Sequence, residues 1–178
     1  ELISRTMGIS EEEIARNRHY NEKLYSLVKE EENKDILIEK ADKIFDEYFA
    51  ELSEEEKSRI GDQKAFIEAQ IQSLLSPWFK YFLTYDPKPT LSKVSCPVLA
   101  INGEKDLQVP PEENLEAIQE ALIAGGNKDF MIKELPGLNH LFQTAQTGSP
   151  DEYAKIEETI SPVALELISD WILRQVKM

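Results

Sequence analysis

The chain of 178 residues carries 20 lysines and arginines against 34 aspartates and glutamates, a formal net charge of −14. This excludes a basic nucleic-acid binder on global electrostatics, because a polyanion is repelled rather than steered in. Hydrophobic residues at 41% and charged residues at 30% suffice to bury a core in one or two domains. No apolar run approaches the about 20 residues of a membrane-spanning helix, so a soluble protein with no membrane span is expected.

Cys96 is the single cysteine, so no internal disulfide can form. No CxxC or Cys/His cluster offers four zinc ligands, and no metal is expected. The first residue is Glu1, and no basic segment followed by an apolar one marks a leader. The expectation is a processed or truncated piece, with its compartment left open.

Proline divides the chain: none occurs before Pro77, and all nine lie from there to Pro162. The Pro-free, Glu/Lys-rich front reads as helical, and the punctuated back reads as alternating strands, turns and helices. Three segments follow: a helical cap over residues 1–76, an aromatic hinge and connector over 77–90, and a βαβα part over 91–178.

In the front, Ser10 followed by Glu13 has the spacing of a capping box. Tyr20, Leu24, Leu27 and Val28 then form one apolar stripe. Leu37, Ala41, Ile44, Phe45, Tyr48 and Leu52 recur at three- and four-residue steps on one helix face. Ser53 with Glu56 repeats the capping pattern, and Ile67, Ile71 and Leu74 mark a further helix that stops before Pro77. These stripes read as core faces of a small helical layer, or as the faces of a cap that lines a substrate pocket. His19, among polar residues, reads as a surface histidine.

The stretch WFKYFLTY, residues 78–85, holds five of the fifteen aromatic residues. Such density calls for burial, as a hinge between two layers or as the wall of an apolar pocket. The following DPKPT reads as an extended connector, because each proline biases the residue before it away from helix.

Beyond the connector, Pro97-Val98-Leu99-Ala100-Ile101 is a short unbroken apolar run, the pattern of a strand buried on both faces. A helix is expected over 113–124, with Leu115, Ile118, Ala121 and Leu122 on one side and Gly125-Gly126 at its end. A second strand is expected over 130–135. The resulting βαβ unit has parallel strands, so both carboxyl ends reach one sheet edge, where open α/β folds place their sites. Asp106 follows the first strand there, and His140 follows the second. A carboxylate beside an imidazole fixes its tautomer and stabilises the imidazolium formed when it takes a proton.

The run CPVLAINGEKDLQVP, then a helix, then a strand ending in LPGLNHLF, resembles the C-terminal third of an α/β-hydrolase, and within that superfamily the segment WFKYFLTYDPKPTLSKVSCPVL looks most like bacterial carboxylesterases or serine-aminopeptidase-like hydrolases. The chain order in that fold is nucleophile, acid, histidine. Asp106, in the G-x-x-D position after Gly103, matches the family's acid, and His140, in the G-x-x-H position after Gly137, matches its histidine. A helix over about 161–176, with Val163, Leu167 and Trp171 on one side, resembles the helix that follows the histidine loop. The front residues correspond to a helical lid. The resemblance implies an α/β fold, helix-rich overall, in which a cap precedes the last two parallel strands of an incomplete hydrolase sheet. It also implies no cofactor.

No G-x-S-x-G nucleophile elbow occurs in the sequence. Cys96 is a poor substitute, because about five residues at about 3.3 Å each separate it from the Asp106 loop. Ser149 lies in a loop with no strained turn to present it. Glu104, Asp106, Glu112 and Glu113 read as solvated loop carboxylates, since their spacing does not match an EF-hand. Gly125-Gly126 follows a helix, whereas a phosphate cradle precedes one.

The leading expectation is therefore the C-terminal fragment of a serine hydrolase acting on carboxylic esters or small amides. It supplies acid and histidine to an upstream serine and is inactive alone, and Trp78, Phe79 and Phe82 shape an apolar substrate pocket. The alternative is a non-catalytic helical interaction module on a hydrolase-like half sheet. The isolated chain is expected to self-associate through its open strand edges.

Overall fold

The computed structural model describes residues 1–176, the side chain of Lys64 aside. The chain forms two compact units, one of residues 10–85 and one of residues 1–9 together with the chain from Asp86 onward. Among the described residues no helix is long and apolar enough to cross a membrane.

In the first unit, local capping sets the helix starts. After α1 (Leu2–Thr6), which belongs to the other unit, α2 spans Glu11–Glu30. The Ser10 hydroxyl accepts from the Glu13 amide at 3.2 Å, and three glutamates occupy the first turn, where the helix dipole favours negative charge. Helix α3 (Lys34–Glu51) starts at Asn33, whose side chain accepts from the amides of Asp35 and Ile36. Helix α4 (Glu54–Ile60) carries the full capping box predicted at Ser53 and Glu56 and ends at Gly61 with φ 74°. Helices α5 (Gln63–Leu74) and α6 (Pro77–Thr84) complete the unit.

Four-residue steps bring Tyr20, Leu24 and Val28 of α2 to Leu37, Ala41, Phe45 and Phe49 of α3, and these residues share one core with Leu52 and Leu74. Tyr20 stacks on Tyr48 at 4.2 Å, and Phe49 and Phe66 meet with perpendicular rings at 6.0 Å. Phe49, absent from the sequence stripe, is among the buried residues. His19 lies on the surface.

The aromatic stretch, for which composition predicts burial in a hinge or a pocket wall, is largely exposed. It is helix α6, and Trp78 at 69%, Tyr81 at 60% and Phe82 at 63% are exposed. An eight-residue helix turns one face inward, and that face carries Phe79 and Leu83 onto the helical core. The outward aromatics pair at four-residue spacing instead: Trp78 stacks on Phe82 at 5.4 Å and Tyr81 on Tyr85 at 5.2 Å. The DPKPT connector is likewise not extended, since Lys88–Leu91 forms the single turn α7. The Asp86 carboxylate accepts from the Lys88 amide at 3.0 Å, and Pro89 sits in the first turn, where a missing N–H costs nothing.

In the second unit, β1 (Val98–Gly103) leads through α8 (Pro111–Ala124) to β2 (Phe130–Leu135), and the strands pair parallel from Val98↔Phe130 to Gly103↔Leu135. Helix α8 buries Leu115, Ala121 and Leu122 and stops at Gly125, where a Cβ would lie 2.0 Å from the Ser92 carbonyl oxygen. A 3-10 helix (Pro150–Lys155) and α9 (Pro162–Val176) follow. This helix-rich architecture around a parallel two-stranded βαβ unit is the α/β arrangement read from the sequence.

Two details differ. β1 is half-buried along most of its length rather than enclosed on both faces, because the described sheet has only two strands. On α9, Val163 is 58% exposed and Ala164 is fully buried. The inward stripe thus runs through Ala164, Leu167 and Trp171, and Ala164 with Leu167 packs on Leu135 and Leu138.

Candidate active site

Parallel pairing delivers the loops after β1 and β2 to one edge, and the backbone then joins them. The amide of Glu104 donates to the Leu135 carbonyl and that of Lys105 to the Leu138 carbonyl, both at 2.9 Å. The Glu104 carboxylate accepts from the Gly137 amide at 2.7 Å. Gly103 permits this approach, since a Cβ there would stand 2.3 Å from the Leu138 oxygen and 2.6 Å from that of Asn139. Lys105 ties the same two segments again, donating from Nζ to the carbonyls of Ala145 and Gln146 at 2.9 Å each.

Asp106 is held at the centre, 5% exposed. Its Oδ1 accepts from the amides of Gln108 at 2.9 Å and Val109 at 2.8 Å. Its Oδ2 accepts from Asn102 Nδ2 at 3.1 Å and lies 2.9 Å from His140 Nδ1. An ionised carboxylate only accepts, so Nδ1 carries the proton and donates, and Nε2 is left as the basic nitrogen. The His140 side chain is 36% exposed, so solvent or a ligand reaches it.

The turn that presents His140 is built around Asn139, which is fully buried. Its Oδ1 accepts from the amides of Leu141 and Gln143 at 2.9 Å each, and its Nδ2 donates to Gln143 Oε1 at 3.0 Å. Phe142 takes φ 57°, a left-handed conformation uncommon outside glycine and asparagine. Further out, the Glu152 carboxylate gathers the Gln146 and Thr147 amides and the Thr147 hydroxyl. The Thr147 hydroxyl foremost, followed by backbone amides, holds the Glu152 carboxyl below the usual carboxylate range.

The structure brings Asp106 and His140 together. Trp78, Phe79 and Phe82 belong to the helical unit, with Trp78 and Phe82 exposed and Phe79 packed against the helical core. Cys96 is exposed ahead of β1. Ser149 lies in the loop before the 3-10 helix, is 6% exposed and caps that helix by accepting from the Asp151 amide. Among the described residues no group of three or more His, Cys, Asp or Glu side chains is placed to hold a metal. Sequence reasoning missed Asn102 and Asn139. The available signal was an amide ending an otherwise apolar strand and another directly before the histidine.

Residues 57–160 match the model of the prolyl oligopeptidase family, a stretch of more than half the chain that contains α8, both strands, Asp106 and His140. No curated protein and no solved structure matches the chain. The chain belongs to the prolyl oligopeptidase family, serine hydrolases of the α/β-hydrolase superfamily.

Proposed function

We propose that the chain is the C-terminal part of a serine hydrolase acting on carboxylic esters or small amides, in which Asp106 and His140 are the acid and base of a Ser-Asp-His triad and the serine lies on chain preceding Glu1. The observation that carries this reading is the 2.9 Å bond between His140 Nδ1 and a buried, fully hydrogen-bonded Asp106. In this role His140 Nε2 takes the proton of the serine hydroxyl as it attacks the substrate carbonyl. It then returns that proton to the leaving alcohol or amine, and Asp106 stabilises the intervening imidazolium without itself becoming protonated. A second cycle with water in place of serine releases the acid. Trp78 and Phe82 present exposed rings on the helical unit, and Phe79, turned inward, supports the helix beneath them.

The test is labelling by a fluorophosphonate, which reacts only with an activated serine. The 178-residue chain is expected to stay unlabelled, and a chain that extends upstream of Glu1 through the proposed serine-bearing segment to label at that serine. Labelling of the 178-residue chain itself would overturn the upstream assignment. An unlabelled extended chain would favour the non-catalytic interaction module, a reading supported by the separate core of the helical unit.

A further inference from the structure

The two oxygens of the Asp106 carboxylate have different kinds of partner. Oδ1 is occupied by two backbone amides, which fix the plane of the carboxylate. Oδ2 receives two side chains, His140 Nδ1 and Asn102 Nδ2. The Asn102 amide also donates to the Val109 carbonyl at 2.9 Å, so it spans the Asp106 loop from the end of β1 to its far side. Other charged groups of these loops are engaged elsewhere: Glu104 on the Gly137 amide, Lys105 on the Ala145 and Gln146 carbonyls, and Glu158 on the Thr144 amide.

We propose that Asn102 is a positioning residue for the base: by donating to the same Asp106 oxygen that receives His140 Nδ1–H, it limits the negative charge presented to the imidazole and keeps Nε2 free to accept a proton. This rests on the catalytic reading of the Asp106–His140 pair. A hydrogen bond to a carboxylate draws charge from it. Without Asn102 the charge on Oδ2 would face the imidazole alone.

The experiment is an NMR titration of the His140 ring in the 178-residue chain, comparing the unsubstituted protein with Asn102→Ala, Asn102→Asp and Asp106→Asn. For Asn102→Ala the titration midpoint is expected to move up. For Asn102→Asp, which sets a second carboxylate beside Oδ2, it should move up further. A purely structural Asn102 gives the opposite sign: if its loss opens the loop, the midpoint falls toward that of Asp106→Asn. A fall, or no movement in either Asn102 variant, overturns the proposal. Should Asn102→Ala not fold, Asn102→Ser, which keeps a shorter donor, replaces it and is expected to move the midpoint upward by less. The Asp106→Asn arm tests the underlying pair by itself, since a midpoint that does not fall there means His140 draws nothing from Asp106, whatever Asn102 does.

Discussion

Gly103 and Leu138 meet backbone to backbone: a Cβ on Gly103 would lie 2.3 Å from the Leu138 carbonyl oxygen. The contact sits where the two site loops join, three residues before Asp106 and two before His140. Gly103→Ala must part the loops, because a backbone oxygen cannot rotate aside as a side chain does. The expected loss is about 2–3 kcal/mol of stability by urea unfolding. The hydrogen-bonded Nδ1–H resonance of His140 should weaken as well. A variant as stable as the parent with that resonance intact would mean the loops do not meet here.

The division of α6 into an inner and an outer face makes a second prediction. Trp78→Ala and Phe82→Ala each remove an exposed ring and are expected to change stability by no more than about 0.5 kcal/mol. Phe79 packs on the helical core and meets Tyr25 edge-on at 5.9 Å, so Phe79→Ala should cost about 2 kcal/mol. Thermal unfolding of the three variants reads the difference. Equal losses would place all three rings in one environment.

The capping box at Ser53 and Glu56 closes in both directions. Ser53→Ala frees the Glu56 amide and removes the hydroxyl that caps α4, at an expected cost of about 1 kcal/mol. The loss should appear as faster amide exchange in α4, with exchange of the β1 and β2 amides unchanged. Exchange that accelerates everywhere would contradict a local cap.

Glu152 gives a pH dependence with a definite sign. Its folded carboxyl titrates below the usual range, chiefly through the Thr147 hydroxyl. The stabilisation it gives is therefore fully present above the ordinary carboxylate value of about 4.3 and is lost as pH falls through the lowered value. Glu152→Gln cannot be protonated, so its denaturant midpoint should fall less than that of the parent between neutral and acid pH. Identical acid sensitivity of the two proteins would show that the Thr147 and Glu152 segments are not held together in solution.

Much of this fold was legible because short-range rules govern it. The capping patterns at Ser10 and Ser53, the four-residue steps through Leu37, Ala41 and Phe45, and the apolar run before Gly103 each found the element they announce. The topology of a βαβ unit then placed Asp106 beside His140 without any knowledge of side chains. What escaped depended on which way a face turns and on partners distant in sequence. Aromatic density in Trp78 to Tyr85 could not reveal that only one face of an eight-residue helix meets the core. Nor could the prolines of DPKPT reveal that the Asp86 carboxylate closes a helical turn around them. Asn102 was hidden for a related reason: its role lies in donating to two atoms, four and seven residues on, that only the folded loop brings within reach.

The most direct test of the catalytic assignment is kcat/KM for p-nitrophenyl esters and peptide p-nitroanilides, measured on this chain extended by the proposed upstream serine-bearing segment and on the Asp106→Asn, His140→Ala and double variants of that protein. If Asp106 serves only through His140, each single variant loses about 10³-fold or more, and the double variant loses no more than the worse of the two singles. Single variants that keep activity within about tenfold, or losses that multiply in the double variant, would contradict a triad built on these two residues.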